Sequence, residues 1–524
     1  MKKLLGLLLA AMLVLSLFSG AAVAESRKEF TFWAAYNPTY QLDWEGMKCW
    51  KLLEEATGIH INWVLYANSG EMKEKLGVLL GTGDTSSFPD AFFRCSINAN
   101  QLKKYGPEGL FMDITDLVKE YAPNACAAID KMDGWSIVSD PSTGEIYSLP
   151  CITDSLSGRM LPKLFINVEM MHNVGVDKMP ETLDEFYDLL VKVRENDANG
   201  NGDPNDEVGI VTNTLDRYIN LFSGAFGIHN RGREDMLVDA DPADETKIRF
   251  VYTTDEYRAL LSFVNRLYEE KLIDQNMLTP STSNMVALGS QNQIFALAYT
   301  NMAAAAVDES KYEPLTLSLT GPGGNAWNTL NKGFGVGNFV ISNTVSKEDA
   351  ITLIKWADTL FTLDGARMLY FGEENVDYTL DENGYPNYVD SILSQVSSDN
   401  PYDKVISAIT CFASGGIPGY KDDIWNCGSE CRGKALEAAQ NMEQFANKIT
   451  WSFNFTIDEN DELSALKTDI VNNCHNVYRA KFIEGTLDVD DDAVWNQYLE
   501  EIQNAGLEDL IAIYQTALDR MLAK

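Results

Sequence analysis

Positive charge is scarce in this chain. Its 41 lysines and arginines face 77 aspartates and glutamates, a formal net charge of −36 at pH 7. So acidic a surface repels phosphate backbones and anionic headgroups, which argues against nucleic acid as a partner. Histidine is scarcer still. His60, His172, His229 and His475 are scattered, and none sits in an H-E-x-x-H pattern. Ser414 lies in Phe-Ala-Ser-Gly-Gly, which is not the G-x-S-x-G nucleophile elbow. A glycosidase needs only two carboxylates at the right separation, and 77 acids leave that open without pointing to a pair. Eight cysteines are too few for a disulfide-dense scaffold. Only Cys427 and Cys431 lie close in sequence, so buried thiols or one local bridge are expected. Gly333-Phe-Gly335-Val-Gly337 has no lysine or helix after it and reads as a strand-flanking turn rather than a phosphate loop. After residue 18 no apolar run is long enough to span a bilayer.

What is present begins at the N-terminus. Lys2 and Lys3 precede an apolar run from Leu4 to Phe18, and Ala22-Val23-Ala24 supplies a small-residue cleavage site. Residues 1–24 therefore read as a secretory signal peptide cut before Glu25. Losing Lys2 and Lys3, with no acid among those residues, takes the net charge from −36 to −38. At 524 residues the chain favours two or more domains, and its 45% hydrophobic content supplies ordinary cores.

The first hundred residues alternate strand and helix. Thr31-Phe32-Trp33-Ala34 reads as a buried strand, 47–57 as a helix, 59–66 as a strand, 72–80 as a helix and Pro89-Asp90-Ala91-Phe92-Phe93 as a third strand. That order predicts a parallel α/β sheet, with ligands beyond the strands' carboxyl ends. Tyr36, the Asn37–Tyr40 loop and the region after Phe93 are thus expected near a site. A helix is expected over 110–121 and a crossing between lobes at Tyr147–Pro150. A second core helix starts at Thr182, whose spacing to Glu185 suits a capping box. Asp255 to Lys271 is a strong helix, 296–306 is ambiguous, and the last third is helical over 434–449, 463–483, 493–505 and 507–522. Without a repeat or a long linker, two lobes must be interleaved.

Several motifs, in order, resemble the extracellular solute-binding proteins of carbohydrate uptake transporters, family 1, and within it the large alginate- and oligosaccharide-binder branch. They are Pro89-Asp-Ala-Phe-Phe93, Tyr121-Ala-Pro-Asn124, Gly144-Glu-Ile-Tyr-Ser-Leu-Pro150, Leu164-Phe-Ile-Asn167 with Thr182-Leu-Asp-Glu-Phe186, Asp197-x-Asn-Gly-Asn-Gly-x-x-x-Asp-Glu207, Val376-Asp-Tyr-Thr-Leu-Asp381 and Lys481-Phe-Ile-Glu-Gly485. The resemblance implies an α/β, two-lobe periplasmic-binding-protein-like fold of type 2 with a helix-rich C-terminal third. It implies a receptor, not an enzyme: a monomer outside the membrane that closes on an oligosaccharide by hinge motion and delivers it to the permease subunits of an ABC-type transporter. The expected lobes are 25–148 with 338–405, and 149–337 with 406–524. Many Gram-positive members carry a lipobox cysteine after the signal; Glu25 stands there here. A secreted glycan-cleaving enzyme and a surface adhesion protein are the competing readings.

A sugar site needs flat rings for C–H faces and a few fixed polar groups for hydroxyls. Trp33, Tyr36, Tyr147, Phe226 and Trp327 are the candidate rings, and Asp90 the candidate acceptor. The acid excess favours a neutral oligosaccharide. The loop Asp197, Asn199, Asn201, Asp203, Asp206, Glu207 offers enough oxygens for calcium, which takes six to eight at flexible geometry. Val208 stands where a helix-loop-helix calcium motif places its bidentate Glu, so that motif fails by one residue.

Overall fold

A computed structural model of the chain describes residues 28–38, 41–229, 237–327, 333–396, 400, 402–411, 416–422, 424, 431–446, 451 and 453–523. The expected signal segment at 1–24, Thr39 and Tyr40 of the first loop, and Cys427 lie outside them. The strands in chain order are β1 (Lys28–Tyr36), β2 (Ile59–Ala67), β3 (Ala91–Phe93), β4 (Leu149–Thr153), β5 (Lys163–Asn167), β6 (Val208–Val211), β7 (Val238–Asp241), β8 (Asp244–Phe250), β9 (Ile294–Tyr299), β10 (Tyr312–Pro314), β11 (Phe334–Ile341), β12 (Tyr378–Leu380), β13 (Pro386–Tyr388) and β14 (Gly419–Lys421).

The first lobe is built on a six-stranded sheet in the order β14-β4-β11-β3-β1-β2. β1 pairs in parallel with β2 and β3, and only β11 runs against its neighbours β3 and β4. The β-α-β-α-β order read in the sequence is the reason: helices Lys48–Thr57 and Asn68–Thr82 return the chain for each parallel strand. One face of the sheet is covered by an aromatic cluster. Phe32 meets Trp63, Phe339 and Trp356 at 5.3–5.7 Å between ring centroids, and Trp50 lies 4.7 Å from Trp63. Such rings carry much of a core's buried apolar area.

The second lobe carries a four-stranded sheet in the order β10-β5-β9-β6, so the ambiguous 296–306 stretch is a strand as far as Tyr299 and then a short 3-10 turn at Ala303–Ala305. Helix Leu183–Arg194 packs on it. Thr182 Oγ1 accepts the Glu185 N–H at 3.1 Å, while the Glu185 carboxylate reaches the N–H of Glu181 rather than that of Thr182. Helices Gly433–Glu443, Ile457–Lys467, Asn476–Ile483, Asp492–Asn504 and Leu507–Leu522 complete this lobe. The expected continuous helix over 463–483 contains a π-helical segment, Thr468–His475. It carries His475, which stacks 3.7 Å from the Tyr252 ring and contacts the hydroxyls of Tyr498 at 2.9 Å and Tyr257 at 3.2 Å. Burial, aided by the charge of Arg479, pushes this imidazole well below its ordinary pKa.

Three segments cross between the lobes and run side by side. Thr153 N–H donates to Gly333 O at 2.7 Å and Asp154 N–H to Lys421 O at 2.6 Å. Gly333 has φ +74 and its missing Cβ would sit 2.0 Å from Thr153 O, so no other residue fits there. The crossings fall at other places than the sequence reading set them. β4 and β11 belong whole to the six-stranded sheet, so the first crossing follows Thr153, not 148, and the chain is back by Phe334, not 338. Residues 406–411 and 416–421 also stay in the first lobe, where Ile406, Ile409, Ile417 and Tyr420 share the core of Phe32. The pairing partners of these strands are far away in sequence, which is why local pattern misplaced them.

A fourth link is non-covalent. Asn454 of the second lobe donates through Nδ2 to Ser136 O and Ser139 O at 2.7 and 2.8 Å, and its Oδ1 accepts from Lys103 Nζ at 2.6 Å. Arg520 bonds the Asn454 carbonyl and chelates Glu459. Lys103 is buried there, and burial pulls its ammonium down to about 8; the nearby charges of Asp140 and Glu459 counter this and Arg520 adds to it.

Candidate cleft between the lobes

The carboxyl ends of β1, β3, β4 and β14 and the start of β11 lie on one edge of the six-stranded sheet, the edge from which the chain leaves for the second lobe. Opposite it stand the ends of β6 and β9 and the start of β5. In open α/β sheets this is where ligands sit. On the first-lobe side, Asn37 and Gln41 tie the loop after β1: Asn37 N–H donates to Gln41 Oε1 at 2.7 Å, and Gln41 Nε2 to Cys411 O at 2.9 Å. Arg94 follows β3 in a left-handed backbone conformation, φ 58. On the second-lobe side, Arg217 lies 4.9 Å from the Tyr299 ring centroid and donates to Asn213 Oδ1 at 2.6 Å. Asn213 Nδ2 in turn reaches Tyr299 Oη and Thr282 Oγ1. This pre-built fan of half-buried amide, guanidinium and phenol groups can bond several hydroxyls without first being ordered.

At the crossing, Asp154 takes Lys131 Nζ at 2.9 Å, Arg159 Nη1 at 3.4 Å and Tyr420 Oη at 2.6 Å. Hydrogen bonds from Tyr420 and Asp154 raise the Lys131 ammonium above its usual range. Beside them a cavity of about 310 Å³ is lined by Thr153 and Lys421 of the first lobe, Ser155, Ser157, Gly158 and Leu161 of the crossing, and Thr300 of the second. Hydroxyls, a lysine, the Cys431 thiol and the apolar side chain of Leu161 share its walls, and no ring lines it. Buried Lys163 holds the wall from behind, donating to Ser157 O and Thr300 O at 2.8 and 2.9 Å. A second cavity, about 210 Å³, lies at the outer edge strand β2 among Trp50, Trp63 and Trp356.

The six sequence-derived ligand candidates do not gather. Trp33 is 6% exposed in mid-strand, packed on Tyr66 at 5.1 Å and Phe92 at 5.8 Å. Phe226 is buried against Phe263 at 5.8 Å. Trp327 is 4% exposed in the second-lobe core, its N–H bonded to Phe445 O and its indole Nε1 sealed without an acceptor. Those three assignments are corrected to core. Asp90 and Tyr147 are corrected to the far edge of the first sheet. Asp90 Oδ2 accepts the Thr31 N–H at 2.7 Å, and buried Tyr147 donates to Glu145 at 2.6 Å. Both residues precede their strands, β3 and β4, at the end opposite the carboxyl ends. Tyr36 alone of the six is both half-buried and at the cleft edge. Arg94, Asp154, Asn213, Arg217, Tyr299 and Lys421 were not singled out. The strand-end rule reached Arg94, at the position after Phe93; the others needed the topology.

The oxygen-rich loop closes on itself. Asn201 and Gly202 N–H donate to the Asp197 carboxylate, and Asp206 accepts from Asn199, Asn201 and Gln293 side chains at 2.7–3.0 Å. Burial pushes the Asp206 carboxyl up, but these hydrogen bonds outweigh it and hold it below its usual range. Glu207 accepts the Asn199 N–H through one oxygen, and its other oxygen is buried without a partner. Asp203 instead turns outward to Asn205. Among the described residues no three His, Cys, Asp or Glu groups converge as metal ligands, so a cation here would draw on the amide oxygens too. The orphaned Glu207 oxygen fits that use.

The sequence is 26% identical over 347 residues to the fructooligosaccharide ABC transporter substrate-binding protein FusA of Streptococcus pneumoniae serotype 4, covering 64% of this chain and 62% of FusA. It is 29% identical over 237 residues to the lipoprotein LipO of Bacillus subtilis, covering 43% of this chain and 41% of LipO. The matches thus span under two thirds of either relative. In three dimensions 95% of the chain superposes on all of FusA in complex with kestose, TM-score 0.73 at 21% identity, and on an EF-hand mutant of FusA with fructo-nystose, TM-score 0.72 at 20%. An extracellular solute-binding protein from Bifidobacterium longum subsp. infantis gives TM-score 0.76 at 17% identity, over 95% of this chain and 99% of that one. These likenesses agree with the two-lobe fold, and the sequence profile of one family matches residues 39–366, more than half of the chain. The chain belongs to the bacterial extracellular solute-binding proteins.

Proposed function

We propose that this chain is an extracellular receptor that binds an oligosaccharide in the cleft between its lobes and presents it to the permease subunits of an ABC-type uptake transporter. The observation that carries the reading is the facing pair of strand edges, which meet at a cavity where the hydroxyls of Thr153, Ser155, Ser157 and Thr300 and Lys421 share the wall with Leu161 and Cys431. Such a wall suits a ligand made of hydroxyl groups. The FusA likeness supports the same class of ligand. The lobes close on the sugar about the three paired crossings, as hinge proteins do. The protein acts as a secreted monomer and catalyses nothing, with residues 1–24 as its export signal.

The same reading gives the 197–207 loop a structural calcium ion, held by Asp197, Asn199, Asn201, Asp206 and Glu207, with Asp203 contributing at most its main chain. The EF-hand of FusA supports it. Asn199 and Asn201 need only rotate their amides to turn oxygens inward. Chelator is expected to lower Tm by several degrees and Asp206→Ala to remove that sensitivity; equal Tm values with and without chelator end the assignment.

A thermal-shift screen against an oligosaccharide panel tests the receptor reading, because a ligand bound only by the folded protein raises Tm. A hundredfold excess over Kd is worth about 2.7 kcal/mol. A panel that leaves Tm unmoved, together with release of shorter sugars from it, would replace the receptor by an enzyme.

A further inference from the structure

Among the described residues, several partly buried arginines meet a carboxylate. Arg249 chelates Asp239 at 2.6 and 2.8 Å, Arg479 reaches Asp216 at 2.7 Å, Arg520 grips Glu459, and Arg159 lies 3.4 Å from Asp154. Arg94 is different. It is 9% exposed, yet its side chain makes one long contact, Nη1 to Cys411 O at 3.5 Å, and lies 5.6 Å from the Trp44 ring centroid. Burial pulls its guanidinium below the ordinary range, and only thiols and a phenol counter that. A guanidinium carries five N–H donors in a fixed fork, so this one has donors to spare. Its nitrogens are absent from the sealed, unpartnered polar atoms, so the fork keeps an outlet. The backbone is strained as well: Arg94 and Ser96 both have φ 58, while Arg94 N–H stays bonded to Asn338 O at 2.9 Å. A buried unpaired cation and a left-handed non-glycine backbone each cost stability, and such costs collect where ligands bind.

We propose that Arg94 is the residue of the first-lobe wall that selects the ligand, its guanidinium fork gripping two adjacent acceptor oxygens of a bound sugar unit. This rests on the receptor reading above. The two oxygens come from neighbouring hydroxyls or from a uronate carboxylate; both fit a planar fork. The Trp44 face behind the guanidinium keeps it in plane, and Gln41, bonded to the same Cys411 carbonyl, fixes the wall beside it.

The experiment measures Kd by calorimetry, and Tm of the empty protein, for the full mature chain and for Arg94→Gln and Arg94→Lys. The probes are kestose, other neutral oligosaccharides and alginate trisaccharides. Removing one charge-assisted hydrogen-bonding group is expected to weaken the best-bound probe about ten- to a hundredfold. Arg94→Lys, which keeps the charge and loses the fork, should recover only part of that. The empty Arg94→Gln protein should melt at the wild-type temperature or above it, since an unpaired buried charge has been removed. Loss confined to alginate probes identifies the oxygens as carboxylate, and loss on neutral probes identifies hydroxyls. If the wild type binds a probe and Arg94→Gln binds it within twofold, the receptor reading stands and this inference falls. A Gln variant that fails to fold, or melts far lower, makes Arg94 a structural residue and also overturns it. If the wild type binds no probe, the receptor reading falls and takes the inference with it.

Discussion

The two edges of the six-stranded sheet treat their polar groups differently. At the far edge almost everything is used. The Asp90 carboxylate holds the Thr31 N–H, Ser342 Oγ donates to Pro89 O at 2.5 Å, Tyr147 is tied to Glu145, and Ile146 N–H donates to Thr115 Oγ1. At the cleft edge Gln41 and Asp154 are tied as firmly, but Tyr36 is half-buried and Arg94 has one long contact for its whole fork. The sheet and its core are shared, so the fold does not account for the difference. Groups whose bonding capacity is left unused inside a protein are costly, and they mark the side on which something else completes them.

Substitutions can break this contrast. The largest effects belong to the residues now placed in the core. Trp33→Ala and Trp327→Ala are expected to destabilise the empty protein by about 3–5 kcal/mol, the usual cost of truncating a buried aromatic. Sugar affinity, measured below the lowered Tm, should stay near wild type. Denaturant unfolding checks this; weaker binding with unchanged stability would return either ring to the cleft. Next is Asp90→Ala at the far edge, which strands the Thr31 N–H and should cost about 1–3 kcal/mol without touching affinity. Tyr36→Ala at the cleft edge should do the reverse, weakening binding several-fold while stability moves by under about 1 kcal/mol.

A subtler effect is a pH slope at the Asn454 link. Lys103 has its pKa lowered on folding from 10.5 to about 8, so between these values the unfolded chain holds the proton that the folded one has released. Stability therefore rises with pH across that window, and the contribution is absent below it. Lys103→Met should lose this slope relative to wild type between pH 8 and 10. For His475 the window lies lower. Its folded pKa is depressed, so the unfolded chain takes up the proton first and stability falls as pH drops below about 6.5. His475→Phe should flatten that fall in thermal melts between pH 6.5 and 5. An unchanged slope in either variant assigns the pH dependence to other groups.

Much of the fold was legible locally. The β-α-β-α-β order of the first hundred residues and the cap at Thr182 follow from period and propensity, and both appear in the structure. The crossings were not legible, because β4, β11 and β14 pair with strands far away in sequence, and β14, Gly419-Tyr-Lys421, carries no strand pattern of its own. The 115–131 region shows the same limit. A single helix over 110–121 was expected, and the chain makes Thr115–Tyr121 and then Pro123–Lys131, since Pro123 opens a second helix as well as ending the first. The site was less legible. Aromatic type pointed to rings, but Trp33, Phe226 and Trp327 were spent on cores, and ring chemistry alone cannot tell a core face from a cleft face. The strand-end rule depends on topology instead: it pointed to Tyr36 and to the region after Phe93, where the structure has Arg94.

Amide hydrogen exchange with and without a saturating oligosaccharide tests the central claim most directly, since it reports both edges of the sheet in one experiment. Binding in the cleft predicts new protection after β1, β3, β6 and β9, at residues 36–37, 94–97, 212–217 and 299–301, and along the crossing at 153–158. Amides around Asp90 and Tyr147 should exchange as before. Protection at the far edge with none at the strand ends, for a sugar shown by calorimetry to be bound, would contradict the account.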